Sequence, residues 1–421
     1  MNRVLAGIAA LVSCSVAAFG GVQPSGEAAL EVGAALLFAY WGLQVFRTRL
    51  LEIHRNVLYA PLLGLCGIAL VQLALGLTAS PYATKIELMK WAVSTLLVFL
   101  FIQSCRTREQ IRGFLFFLAG LGFAVALFGI VQYFTWNGKL YWTVTLPQGA
   151  GPFGPFVNRN HFAGFVELTA PLALAPLLHR AGDREKWALL AILAVVPVGA
   201  LFLSASRGGI IAFVFECVLL LLLSRTKRFG KAQRLGLAAL AAVAGTFVVW
   251  LGVSDAFQRF AALTAGEISR DRRISMYRDT WRIFENNPWT GTGLGTLIVV
   301  YPQFESHYDG LVVDHAHNDY LELLADTGLA GGICGLALIV MLARRGLAKW
   351  AASEDRFVRA ARAGALAACG GILLHSLLDF NLHIPSNGLL FLLLAAMATM
   401  SLDGEAEHGK GSAKESGGVP I

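Results

Sequence analysis

Charge is scarce in this chain. Only 14% of its 421 residues are Asp, Glu, Lys or Arg, where a soluble protein carries roughly a quarter. Hydrophobic residues make up 56%. That balance excludes a multidomain soluble enzyme and leaves room for only one polar element of any size. No internal repeat of fixed period is visible, which argues against a solenoid or an array. The six cysteines, Cys14, Cys66, Cys105, Cys217, Cys334 and Cys369, fall within or at the ends of apolar stretches. None lies in the longest polar segment, so no disulfide framework is expected there. Gly291-Thr292-Gly293-Leu294-Gly295 follows a helical stretch and opens no dinucleotide-binding unit, so it reads as a flexible turn.

What the chain has in abundance is apolar runs long enough to cross a bilayer. About twelve are expected by length, because a hydrocarbon core of about 30 Å needs around 20 apolar residues per helix. They are 4–19, 28–46, 57–77, 91–104, 113–136, 161–178, 187–203, 208–223, 235–253, 320–343, 360–378 and 385–402. Helices are expected because each satisfies its own backbone where water is absent. The fold class is therefore an all-α polytopic transmembrane bundle. Residues 1–402 form one integral membrane domain, with a large loop over 254–319 and a Gly-, Ser-, Lys- and Glu-rich tail over 403–421 expected to be disordered. Leu11-Val12-Ser13-Cys14 resembles a lipoprotein cleavage site, but the many later spans favour an uncleaved first span.

Lys and Arg positions set the expected orientation. Arg47, Arg49 and Arg55, then Arg106, Arg108 and Arg112, then Arg344, Arg345, Lys349, Arg356, Arg359 and Arg362 fall on one side of the alternating spans. By the positive-inside rule that side is cytoplasmic, with both termini inside. The short loops outside hold only Lys85, Lys90, Lys139, Arg159 and Arg207, and long loops largely escape the rule. The net charge of +7 is then mostly this bias and calls for no nucleic acid.

Charged and polar groups at a membrane edge are costly and point to function. Five clusters stand out, at 153–161, 204–209, 270–282, 314–320 and 375–383, and nearly all fall on the expected outer face. Asp314-His315-Ala316-His317-Asn318-Asp319-Tyr320 closes a polar loop and opens an apolar helix, with Asp319 and Glu322 spaced like a capping box. A histidine before a helix N-terminus is favoured in its neutral form, the state a general base requires. Polar loop histidines at a cap are the plainer alternative. His315 and His317 have no third ligand at convincing spacing, so no metal is expected. Arg207, in Ser204-Ala205-Ser206-Arg207-Gly208-Gly209, is pinched between two spans and calls for an anion such as phosphate, or else merely snorkels. The segment 268–285 reads as an amphipathic helix with an Ile274, Tyr277, Trp281 and Phe284 stripe, bordered by Arg273 and Arg278. Its arginines suit either a substrate or lipid phosphates. Asn158, Asn160 and His161 lead into a span, where either asparagine can cap the helix. Asp379, Asn381 and His383 sit between the last two spans and can orient other groups.

The order of these motifs resembles the O-antigen ligase family. Phe156-Val157-Asn158-Arg159-Asn160-His161-Phe162-Ala163 comes first, then Ser-Ala-Ser-Arg-Gly-Gly, then Arg273-Ile274-Ser275-Met276-Tyr277 and Asn287-Pro288-Trp289-Thr290-Gly291. His315-Ala316-His317-Asn318-Asp319-Tyr320 and Asp326-Thr327-Gly328-Leu329-Ala330-Gly331 complete it, over residues 153–396. The resemblance implies a GT-C-like membrane glycosyltransferase in the bacterial inner membrane, working outside the cytoplasm with neither nucleotide nor metal cofactor. Its donor would be an undecaprenyl-pyrophosphate-linked glycan and its acceptor a glycan, lipid or protein. It implies that Arg207 and Arg273, with Arg278 close to the pattern, hold the donor pyrophosphate, and that His317, next to Asn318, activates the acceptor hydroxyl. Asn158, Asn160, His161, His315 and Asp379 would support them. A lipid-linked glycan transporter, which needs cations on both sides, and an envelope-complex scaffold are the non-enzymatic alternatives.

Overall fold

The computed structural model describes residues 2–146, 151–179, 181, 187–224, 268–308, 310, 312–405 and 419–420. The expected span 235–253, the first part of the loop 254–319 and most of the tail 403–421 lie outside them. Among the described residues the architecture is all-helical, apart from a two-residue pairing of Leu50–Leu51 with Val419–Pro420 and a few isolated bridges.

The helices are α1 (Arg3–Ala17), α2 (Pro24–Thr48), α3 (Tyr59–Ala74), α4 (Pro81–Ser104), α5 (Arg108–Phe134) and α6 (Arg159–Leu178). They continue with α7 (Trp187–Leu203), α8 (Arg207–Leu223), α9 (Ile268–Asn286), α10 (Asp319–Ala352), α11 (Arg356–His375) and α12 (Pro385–Thr399). Six of them, α2, α4, α5, α6, α10 and α11, are long and apolar enough to cross a membrane. This is a polytopic helical membrane protein. Local chemistry starts the helices: Pro24, Pro81 and Pro385 occupy first turns, where no backbone N–H is missed. Thr107 and Gln110 form a reciprocal capping box at α5.

Three sequence expectations need correction. Helix α4 begins ten residues before the expected 91, at Pro81. Lys85 and Lys90 are therefore helical, not loop residues, and Lys90 reaches Glu27 at 2.8 Å and Glu87 at 3.4 Å. An apolar run alone missed this turn because its charges pair within the protein. Helix α10 outruns the expected 343 and is broken at Gly328, whose φ of 62° only glycine adopts without strain. The tail begins as structure: Arg106 holds Asp403 at 2.8 Å, and Arg362 holds Glu405 at 2.7 Å.

The centre of the bundle is α6 packed between α8 and α11. Small residues permit this, as they do between helices in lipid. A Cβ on Gly364 would lie 2.9 Å from the Pro171 carbonyl, so the α6 and α11 backbones are in near contact. The N-termini of α6, α8, α10 and α12 and the C-terminus of α11 all open on one end of this core. The polar clusters meet there.

Candidate active site

Asn318 caps α10, accepting from the N–H groups of Tyr320 and Leu321 at 3.1 and 3.0 Å. The cap is thus Asn318 and not Asp319, whose carboxylate instead reaches His383 Nδ1 at 2.7 Å. Just before the cap, His317 adopts φ 50°. In an extended segment, residues two apart share a face; this left-handed step separates them. His315 Nδ1 lies 2.7 Å from Glu322 Oε1, whereas His317 Nδ1 lies 3.3 Å from Asp379 Oδ1. The Phe380 ring stands between, stacked on His315 at 4.3 Å and meeting His317 and His161 edge-on at 4.9 and 4.7 Å.

Asp379 is the hub. It accepts from Asn160 Nδ2 at 2.5 Å and from the Phe380 N–H at 2.9 Å, and His161 Nε2 lies 3.8 Å away. Burial alone would raise this carboxyl, but the His317 hydrogen bond and the neighbouring histidines outweigh it and hold it well below the usual range. Asn158 caps α6, so of the two asparagines it is the capping residue. Asn160 instead bridges, its Oδ1 accepting from Ser206 Oγ at 2.9 Å. Ser206 in turn caps α8 through Gly209 N–H. This ties the Asp379 hub to the Ser-Ala-Ser-Arg-Gly-Gly turn, where Ala205 also sits at positive φ, 52°. Arg207, the first residue of α8, is exposed there.

The two glycines after Arg207 have a packing reason. A Cβ on Gly208 would lie 2.6 Å from His375 Nε2, and one on Gly209 would lie 2.5 Å from the Ala163 side chain. His375 Nδ1 meets Glu167 Oε1 at 2.8 Å, both fully buried, and Glu216 lies buried beyond with neither carboxylate oxygen hydrogen-bonded among the described residues. Sequence reasoning missed Glu167 and Glu216. The signal was there, a lone carboxyl inside an apolar run.

Helix α9 docks onto the histidine loop. Tyr277 Oη donates to the carbonyl of His317 at 2.9 Å and reaches that of Leu377 at 3.3 Å. Arg273 lies one turn earlier on the same side, exposed, and its charge acts on the Tyr277 hydroxyl. Arg278 is exposed but turned away from that side. The expected apolar stripe is not the buried one. Ile274 and Trp281 remain exposed, while Met276, Asp279, Thr280 and Ile283 are buried on a nearly opposite face. Asp279 explains the inversion, since its carboxylate accepts from Ser306 N–H and Oγ at 2.9 and 2.8 Å.

The glycine-rich turn is not flexible. Gln72 Nε2 donates to the carbonyls of Thr290 and Asp326 at 2.6 and 2.9 Å, and its Oε1 accepts from Leu294 N–H at 3.0 Å. Asp326 Oδ2 accepts from Gly295 N–H at 2.6 Å. A Cβ on Gly291 would fall 2.2 Å from the Asp326 carbonyl carbon, so the turn is interlocked with the Gly328 break in α10. This fixes the end of α9 against the first turns of the helix that follows the histidine loop.

Residues 190–336, from α7 through the histidine loop to the middle of α10, match the family model described as O-antigen ligase. The chain carries an O-antigen ligase domain. A comparison with curated proteins gives no match. The ligase domain includes Arg207, Arg273, Arg278, His315, His317 and Asn318, but Asn158, Asn160, His161 and Asp379 lie outside its limits. The fold brings those four to the same end of the bundle, through Asn160 and Asp379.

Proposed function

We propose that this O-antigen ligase family protein is a glycosyltransferase that moves a glycan from an undecaprenyl-pyrophosphate carrier to an acceptor hydroxyl on the extracytoplasmic face. The observation that carries this reading is the Asp379–His317 pair, linked through Asn160 and Ser206 to the helix that starts at Arg207. With Nδ1–H directed at Asp379, His317 Nε2 keeps its lone pair for the acceptor. The acceptor oxygen attacks the anomeric carbon as its proton passes to His317 Nε2. The bond from that carbon to the pyrophosphate oxygen breaks, and undecaprenyl pyrophosphate leaves with the electron pair. One displacement inverts the anomeric centre. Arg207 and Arg273 stabilise the leaving charge with planar donor forks, with Arg278 in a lesser part. His161 and His315 pack on Phe380, and Asn318 anchors the loop by capping the helix that follows it.

In this reading residues 1–402 form a GT-C-like inner-membrane domain of about twelve spans with both termini cytoplasmic, by the Lys and Arg bias. The region 153–396 forms the transferase part and 254–319 its large outer loop. The test is transfer by purified protein from lipid-linked donor, in excess chelator. We expect turnover to persist there, with inverted product. Product with retained configuration, or none at all with a competent donor and acceptor, would overturn the reading. Labelling of a cysteine placed at 317 only from the cytoplasmic side would overturn the topology.

A further inference from the structure

We infer that His315, Glu322 and His383 form a binding site for a divalent transition-metal ion, beside the transfer site and separate from its chemistry. The histidine that turns away from Asp379 carries the argument. His315 comes from the loop, Glu322 from the first turn of α10, and His383 from the turn before α12. Their ligand atoms converge: His315 Nδ1 is 2.7 Å and His383 Nε2 is 3.4 Å from the same Glu322 Oε1, and all three lie within 4.8 Å of one another.

Each ligand is also held from behind. Asp319 Oδ1 takes His383 Nδ1 at 2.7 Å, which leaves Nε2 facing the group. This is the carboxylate–histidine arrangement that orients metal ligands. Glu322 spends Oε2 on the Ala316 N–H at 2.8 Å and leaves Oε1 pointing inward. The His315 ring is fixed by stacking on Phe380 at 4.3 Å. Two imidazoles and one carboxylate are the donor set of zinc sites that keep a fourth position open. Magnesium and calcium prefer more oxygens. An ion has a way in, because a cavity of about 570 Å³ is lined by His315, Glu322 and His383 together with Asp314 and Glu87. The alternative is that protons alone hold the cluster together.

Titration of the chelator-stripped, untagged full chain with Zn²⁺, and with Co²⁺ followed by its visible spectrum, separates the two. The expected result is one equivalent bound per chain, lost in His383→Ala and Glu322→Gln and kept in His317→Ala. Asp319→Asn, which does not touch the ion, should weaken binding by about 10–100-fold. If His383→Ala fails to fold, the isosteric Glu322→Gln and Asp319→Asn carry the test. Absence of stoichiometric binding in folded wild type would overturn the site, as would wild-type affinity in both isosteric variants or equal loss in His317→Ala. The readout is metal content, so failure here leaves the proposed transfer intact, and failure of transfer leaves this site standing.

Discussion

The two polar ends of the bundle use arginine in opposite ways. At one end Arg362 is fully buried, and its guanidinium donates to the carbonyls of Lys349 and Met400, to Ser353 Oγ and to both oxygens of Glu405. Arg106 there is spent on Asp403 and on the Ser401 carbonyl. At the other end Arg207 and Arg273 are exposed, and the fixed polar network runs through Asp379, Asn160, His317 and Ser206 instead. The first end closes the protein with its own charges. The second keeps cationic side chains at the surface and invests its buried hydrogen bonds in aiming a histidine. A basic residue at a membrane edge is therefore read by its burial, not by its charge alone.

The sharpest way to break this contrast is to remove the aimed histidine. His317→Ala should lower turnover about 10²–10⁴-fold, the usual weight of a general base, with little change in donor affinity. Steady-state kinetics beside donor binding would show it, and a variant with near-full turnover sinks the base assignment. Arg207→Lys comes next. It keeps the charge and loses the fork, and a transition-state donor of this kind is worth about 10²–10³-fold. Arg362→Met should do the reverse at the other end. Losing the guanidinium leaves buried acceptors such as the Met400 carbonyl without that donor, at about 1–3 kcal/mol per group, which appears as a lower midpoint of thermal unfolding. The turnover of the protein that remains folded should be unchanged. If Arg362→Met instead slowed transfer without loss of stability, the two ends would not be functionally distinct.

Much of this contrast can be read from the sequence, and the part that cannot has physical causes. Eleven of the twelve apolar runs are helices within a few residues at most ends, six of them long and apolar enough to cross a membrane, and the run 235–253 lies outside the described residues. The exceptions are where charge is neutralised inside the protein, as at Lys90, or where glycine breaks a helix that resumes, as at Gly328. The motif residues were legible, but their partners were not. His315 and His317 are two apart in sequence and diverge in space because of one left-handed φ. His315 finds its companions at 322 and 383, so spacing along the chain gave no hint of a third ligand. On α9, helical periodicity found an apolar stripe, yet the helix buries the face bearing Asp279, whose partners lie around residue 306.

That inversion moves the natural control for the arginines and gives the smallest predicted effect. Arg272 adjoins the buried face of α9, and its charge acts on the Tyr301 hydroxyl, so it does not serve as a silent comparison. Arg282 does. It is half-exposed, and among the described residues its close carboxylate is the buried Asp279, whose Oδ2 accepts from Ser306 and whose Oδ1 lies 3.5 Å from the guanidinium without a hydrogen bond. A lysine keeps a positive charge beside that oxygen and gives up no hydrogen bond to it. Arg282→Lys should therefore leave both stability and transfer near wild type, while Arg273→Lys, one turn from Tyr277, should lose most of its turnover. Both substitutions keep the net charge and sit on the same helix, so attraction to lipid headgroups cannot separate them. Equal losses in a transfer assay would mean that α9 works through its overall charge, and Arg273 would lose its place at the pyrophosphate.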